Sequence, residues 1–301
     1  GHPPLGHPGE LARSVPATGR LAYNDQDEPS HHRWPEPTPR PPRPACPRPQ
    51  PLMQHLLDQS ADDLRRWLAA RGQPSYRADQ LARWVFQRRA AAPHEMTDLP
   101  AALRRQLAEE FLLWTARSVV RQSSSDGTEK LLLEWADGQA VECVLLRDDR
   151  GHRTICISTQ VGCGMGCAFC ASGMGGLARN LTTGEIVEQM LSLQRLLPAD
   201  ERISHVVVMG MGEPLANLAR LLPALQWATS GRGLGVSARR ITVSTVGIPA
   251  GIRQLAADEH PYHLAVSLHA PDESLRNELV AANRKTGIGS ALRSSTCCWP
   301  T

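Results

Sequence analysis

The chain has no apolar run long enough to span a bilayer, and its first residues lack the basic-then-apolar layout of a secretory signal. These absences predict a cytoplasmic protein that does not engage a membrane. Its eight cysteines are not spread evenly as in a small disulfide-framed domain, because three of them crowd into one short loop. Metal or redox chemistry is the expected use. A second C-x2-C pair is also lacking, which argues against a structural zinc site. Nor is there strong charge of one sign: a formal net charge of +3 does not imply nucleic acid by itself, although a local basic surface remains compatible with it.

The 301 residues, 41% of them hydrophobic, suffice for one large domain or two modest ones. Residues 1–52 carry 14 of the 24 prolines and are expected to be disordered, or else to be upstream sequence translated in error with Met53 as the true start. Cys46 in that tract reads as an unimportant thiol. Over 53–113 the pattern becomes helical. Ser60 and Asp63 form a capping box ahead of Leu64, Trp67 and Leu68, and Gly72 with Pro74 ends that helix. A second helix after Tyr76 turns Leu81, Trp84 and Val85 inward and leaves Arg77, Arg83, Arg88 and Arg89 more exposed. A third opens at Pro100 and runs through Leu103, Leu107 and Phe111.

Residues 114–153 read as an antiparallel β-meander, with turns at 123–127 and at Asp137-Gly138. From 154 onwards strands and helices alternate: strands over 154–158, 205–209, 241–245 and 264–268, with helices over 182–197, 218–228, 249–257 and 273–280. Four β-α units in series predict an α/β fold with a parallel sheet curved like part of a barrel. In such a barrel the working residues lie at the C-terminal ends of the strands. There the chain carries Cys163-Gly-Met-Gly-Cys167-Ala-Phe-Cys170, then Gly210-Met-Gly212-Glu213-Pro, Ser244-Thr-Val-Gly247 and Ser267-Leu268-His269. The C-x3-C-x2-C spacing suits three irons of a cubane iron–sulfur cluster and leaves the fourth iron open. The glycine-rich turn reads either as an ordinary loop or as backbone lying against a ligand, with Glu213 directed towards an amino group. Cys156 and Cys143 taken alone are small buried hydrophobes.

The cysteine loop at a barrel mouth resembles the radical S-adenosylmethionine (SAM) superfamily. The longer string Cys156-Ile-Ser-Thr-Gln-Val-Gly-Cys163, the Gly-Met-Gly-Glu-Pro turn, Ser-Leu-His-Ala and the segment at 72–80 are similar to the RlmN/Cfr family of RNA adenine methyltransferases. The resemblance runs from about Met53 to Lys285. It implies a 4Fe–4S cluster on Cys163, Cys167 and Cys170, and SAM held by Gly212, Glu213, Ser244, Ser267, Leu268 and His269. It further implies that Cys156 resolves a covalent RNA adduct through a disulfide, that Glu142 accepts a proton, and that a late cysteine carries the methyl group. The implied reaction is methylation of adenine C2 in large-subunit ribosomal RNA, with transfer RNA as a second candidate. It calls for an electron donor and suggests a monomer. The alternatives are a C8-methylating enzyme of the Cfr type and a non-catalytic iron–sulfur or RNA-binding protein.

The resemblance implies a domain order of a helical RNA-binding segment over 53–113, the meander over 114–153, a partial barrel over 154–285 with four of an expected six units, and an unrelated tail over 286–301. No methyl-carrying cysteine is identified, since Cys297 and Cys298 lie in that tail. The chain as written is therefore expected to be C-terminally incomplete, poorly soluble because of an open sheet edge, and unable to methylate RNA.

Overall fold

The computed structural model describes residues 53–257 and 261–295. The proline-rich tract, Cys46, Cys297 and Cys298 lie outside the described residues. Strand β1 (Gln54–His55) leads into helix α1 (Ala61–Ala69), and the Ser60–Asp63 capping box is present in both directions. Helix α2 (Tyr76–Ala82) continues into a π-helical turn over Arg83–Gln87. Helix α3 (Ala101–Glu110) stops at Phe111, which instead begins strand β2 (Phe111–Leu112), paired in parallel with β1.

The meander follows as β3 (Arg117–Ser123), β4 (Glu129–Glu134) and β5 (Ala140–Arg147), turning at Gly127 and Gly138, both of which have positive φ. It does not stand apart. Strand β6 (Arg153–Cys156) pairs antiparallel with β5 on one side and parallel with a later strand on the other. Between β6 and helix α4 (Thr183–Gln194) the chain makes an antiparallel ribbon, β7 (Gln160–Gly162) with β8 (Leu177–Asn180), which the sequence pattern does not reveal.

The alternation then runs β9 (His205–Val208), α5 (Leu218–Thr229), β10 (Ile241–Thr245), α6 (Pro249–Ala257), β11 (His263–Val266) and α7 (Glu273–Leu279). Two short helices, α8 (Asn283–Thr286) and α9 (Ile288–Ser295), end the described chain. Residues 288–295, read from sequence as tail, are thus helical, and Ala291 is fully buried where α9 meets the loop at Gly247. The main sheet has seven strands in the order β11-β10-β9-β6-β5-β4-β3; β6, β9, β10 and β11 are parallel, and β11 has a partner on one side only among the described residues.

Cross-strand register gives this sheet two unlike faces. Leu131, Leu133, Val141, Cys143, Leu145, Ile155, Val206, Val208, Ile241 and Val243 are all buried, and they share one core with Ile186, Val187, Met190 and Leu191 of α4 and with Leu221 and Leu225 of α5. Paired residues point to the same side, so Lys130, Leu132, Glu142, Val144, Cys156, Val207, Thr242 and Ser244 line the opposite face. That face is half-buried or exposed throughout.

Helix α4 is buried on nearly every side because the N-terminal helical segment packs across it. Glu188 is the anchor. It accepts hydrogen bonds from Thr115 N and Oγ1 and from Ala116 N, and pairs with His55 Nε2 at 3.1 Å. Burial works against its charge, but the contacts from His55, Ala116 and Thr115 hold the carboxyl below its ordinary value. Two of the arginines expected to be exposed on this segment have internal work instead. Arg89 donates to the carbonyls of Leu197, Pro198 and Glu201, and Arg77 donates to Gln80 Oε1 and Asp98 O. Arg83 and Arg88 remain exposed.

Candidate active site

The cysteine loop is the tip of the β7–β8 ribbon and does not leave directly from strand β6. Gly162 has φ +73°, and a Cβ there would lie 2.1 Å from Gly176 O, so only glycine lets the two arms close. Cys163 N donates to Gly176 O at 3.0 Å. The far side of the loop docks on the end of α7: Ala168 N donates to Leu279 O at 2.9 Å, and Cys167 forms a β-bridge with Val280. Phe169 packs against His269 with ring centroids 4.5 Å apart. This contact joins the cysteine loop to the end of β11, and His269 itself has φ +62°, a conformation that few non-glycine residues hold.

Glycines 210 and 212 are required by the chain's own packing. A Cβ on Gly210 would meet Ser158 Oγ at 2.5 Å and Ile157 O at 2.8 Å. One on Gly212, which has φ +98°, would meet Gln160 Cβ at 2.6 Å. The turn therefore needs glycine to lie flat on the segment joining β6 to β7. Glu213 also departs from expectation: it is 2% exposed, and its carboxylate accepts from Leu215 N at 3.0 Å and Val246 N at 2.9 Å. Its carboxylate ties the end of β9 to the end of β10 and does not face outwards towards an amino group. Burial pushes the carboxyl above its ordinary value even though these N–H groups favour the charged form.

The remaining predicted residues fall on two neighbouring stretches. Ser244 Oγ and Ser267 Oγ lie 3.1 Å apart at the ends of β10 and β11, followed by Leu268 and His269. Cys156 and Glu142 share the open face of the sheet, since Val144 pairs with Cys156 and lies two residues from Glu142. Glu142 pairs with Lys130 Nζ at 2.8 Å, and the Cys156 thiol is pushed up by burial. Cys143 faces the opposite, closed side and is buried, as its reading as a small hydrophobe requires.

Sequence reasoning missed several residues that shape the site. Gln160 Oε1 accepts from Glu213 N at 2.8 Å, and Asn217 Nδ2 donates to the carbonyls of Thr159 and Leu181. Arg276 is fully buried, and its guanidinium donates to the carbonyls of Val246 and Leu268. None carries a sequence signal beyond its polar type.

The three thiols of the loop suit a multi-iron group better than a single ion. They lie within the eight residues 163–170, and that loop offers no fourth cysteine or histidine of the kind a structural zinc site uses. A tetrahedral zinc holds its sulfurs about 2.3 Å from one point, whereas a cubane spreads them over separate irons. Burial raises the thiols of Cys163 and Cys167, and binding of iron as thiolates would displace their protons to solvent. A separate groove of about 380 Å³, bordered by Ser60, Asp63, Arg220 and Trp227, includes none of the predicted site residues.

Comparison with known proteins agrees with this geometry. Residues 54–113 match the ribosomal RNA large subunit methyltransferase N-terminal domain, and residues 157–288 match the radical SAM superfamily. A probable dual-specificity RNA methyltransferase RlmN of Rhodopirellula baltica is 59% identical over 245 residues, covering 81% of this chain and 66% of that protein. The corresponding protein of Geobacillus kaustophilus is 44% identical over 78% of this chain and 64% of its own length. The chain thus spans slightly under two thirds of these curated relatives. The crystal structure of a radical SAM methyltransferase from Sphaerobacter thermophilus superposes with a TM-score of 0.77 at 40% identity, covering 80% of this chain and 71% of that one. Radical SAM proteins work with a 4Fe–4S cluster and SAM, and the cysteine loop described above fits that group. The chain belongs to the RlmN family of radical SAM methyltransferases.

Proposed function

We propose that this chain provides the catalytic centre of an enzyme that methylates C2 of an adenine in large-subunit ribosomal RNA, with transfer RNA as a second substrate. The observation that carries the reading is the contact between Phe169 of the cysteine loop and His269 at the end of β11. It brings a set of iron ligands against the strand ends proposed to hold SAM. The relatives' printed description as dual-specificity RNA methyltransferases supports RNA as the substrate class.

Cys163, Cys167 and Cys170 would hold the cluster, and Gly212, Glu213, Ser244, Ser267, Leu268 and His269 would hold SAM. Glu213 would act by fixing the turn that borders SAM, because its carboxylate is bound to Leu215 and Val246 and its N–H to Gln160. The bound cluster supplies an electron to SAM and so gives access to radical chemistry, which an adenine ring carbon requires because it is not nucleophilic. Cys156 and Glu142 stand on the open sheet face, where a thiol to resolve a covalent adduct and a carboxylate to take a proton would meet the base. The Lys130 ammonium steadies that carboxylate.

The target adenine must leave its stack to reach this face. The helical segment over 53–113, with Arg83 and Arg88 exposed, would grip RNA through phosphates, next to the meander over 114–153 and the partial barrel over 154–285.

Anaerobic incubation of the iron-loaded chain with SAM, a reductant and ribosomal RNA fragments tests the proposal. SAM cleavage that disappears in Cys163→Ala is the expected result, and methyl found on adenine C2 by mass spectrometry would show in addition that the chain as written completes the transfer. Methyl on C8 would replace the reading by the Cfr type. No SAM cleavage by a loaded chain would overturn it.

A further inference from the structure

Arg276 is a charged residue with no exposed surface in a chain whose other arginines lie mostly at the surface. Removing a guanidinium from water is tolerable only when its donors are satisfied. Here they are. Nε donates to Leu268 O at 2.9 Å, Nη2 to Val246 O at 2.5 Å and more weakly to Ser267 O at 3.4 Å, and Nη1 to Asn283 Oδ1. The acceptors have a common position: Val246 directly follows β10, and Ser267 and Leu268 directly follow β11. The guanidinium fork therefore clamps the ends of two adjacent parallel strands, including two positions proposed to hold SAM.

The same residue reaches the cysteine loop through its own main chain. Arg276 O accepts from Val280 N at 2.8 Å, and Val280 forms the β-bridge with Cys167. Ala168 N is tied to Leu279 O in the same turn. The groups facing the guanidinium include one acid on its own helix, Glu273, which is shared with Asn283 Nδ2 and Ile288 N.

We propose that Arg276 is a positioning residue, setting the SAM-holding strand ends against the cysteine loop and keeping a permanent positive charge near the loop that would hold the cluster. The inference rests on the reading of Cys163, Cys167 and Cys170 as cluster ligands. A nearby cation favours the reduced, more negative form of an iron–sulfur group, so its removal lowers the reduction potential. Lysine keeps the charge but has no planar fork to span carbonyls on two strands.

The full chain and its Arg276→Met and Arg276→Lys variants are loaded with iron and sulfide without oxygen. The cluster potential is then titrated by electron paramagnetic resonance, and SAM binding is measured by equilibrium dialysis. Arg276→Met is expected to bind SAM about tenfold more weakly. Its reduced-to-oxidised ratio at fixed potential should fall about tenfold, which is about 59 mV for a one-electron couple. Arg276→Lys should keep the potential and lose the SAM affinity. A methionine variant within twofold of the unmodified chain in both quantities overturns the inference. Should that variant fail to fold, the lysine variant decides: unchanged SAM affinity overturns the proposal, and weakened affinity at an unchanged potential supports it. An unmodified chain that takes up no iron and sulfide overturns the cluster reading itself, and this inference with it.

Discussion

The two faces of the seven-stranded sheet come from the same strands with the same two-residue period, yet they differ in burial and polarity. The closed face presents Leu131, Leu133, Val141, Leu145, Ile155, Val206, Val208, Ile241 and Val243, all buried in the core shared with α4 and α5. The open face mixes Lys130, Glu142, Cys156, Thr242 and Ser244 with Leu132, Val144 and Val207, and each is half-buried or exposed. One side holds the fold through apolar burial. The other keeps polar groups within reach of solvent. Stability and chemistry are thereby separated by the alternation of side chains along each strand, and a substitution on one face should leave the other's property largely intact.

The sharpest test of that separation removes a loop cysteine. Cys167→Ala should abolish iron uptake and SAM cleavage, while the unfolding free energy from urea titration changes by no more than a surface substitution does, about 0.5 kcal/mol. Unfolding of this variant would mean that the loop is part of the core.

Behind the closed face, Glu188→Ala should destabilise the chain by about 4 kcal/mol, because it leaves His55 and the Thr115 and Ala116 N–H groups without their partner. Since the folded carboxyl lies below its unfolded value, its contribution is present at neutral pH. It disappears as pH falls from the ordinary carboxylate range through the lowered folded value. The acid unfolding midpoint of the unmodified chain should therefore fall below that range, and in the variant this acid-dependent component should vanish.

Ile155→Ala on β6 should cost about 3 kcal/mol through lost burial and the cavity left behind, measured by urea unfolding. Its iron content per folded chain should be unchanged. The smallest effect belongs to the open face. Glu142→Gln removes a half-exposed pair with Lys130 and should change stability by less than about 0.5 kcal/mol, measured by urea unfolding, with the iron content per folded chain unchanged. A large loss of stability there would erase the distinction between the faces.

Much of this framework could be read locally. The capping boxes at Ser60–Asp63 and Thr182–Glu185 form as the residue pattern requires, because capping is a contact between residues three apart. The strands appear from their alternation, and the cysteine triplet needs only its own eight residues. The β7–β8 ribbon escaped notice because strands of three and four residues are too short to show a period. Arg77 and Arg89 looked like surface charge. A sequence pattern cannot show that carbonyls at 197, 198 and 201 lie waiting for a guanidinium more than a hundred residues away.

The sequence by itself determined the order of the longer helices and strands, the alternating faces and the cysteine loop, since each depends on neighbours a few positions apart. Tertiary structure alone decided that Glu213 turns inwards to Val246, that glycines 210 and 212 make room for the chain's own Ser158 and Gln160, and that Arg276 is buried across two strand ends. Such choices depend on which distant main-chain groups are left without hydrogen bonds when the strands come together, and only the assembled sheet fixes where those groups are.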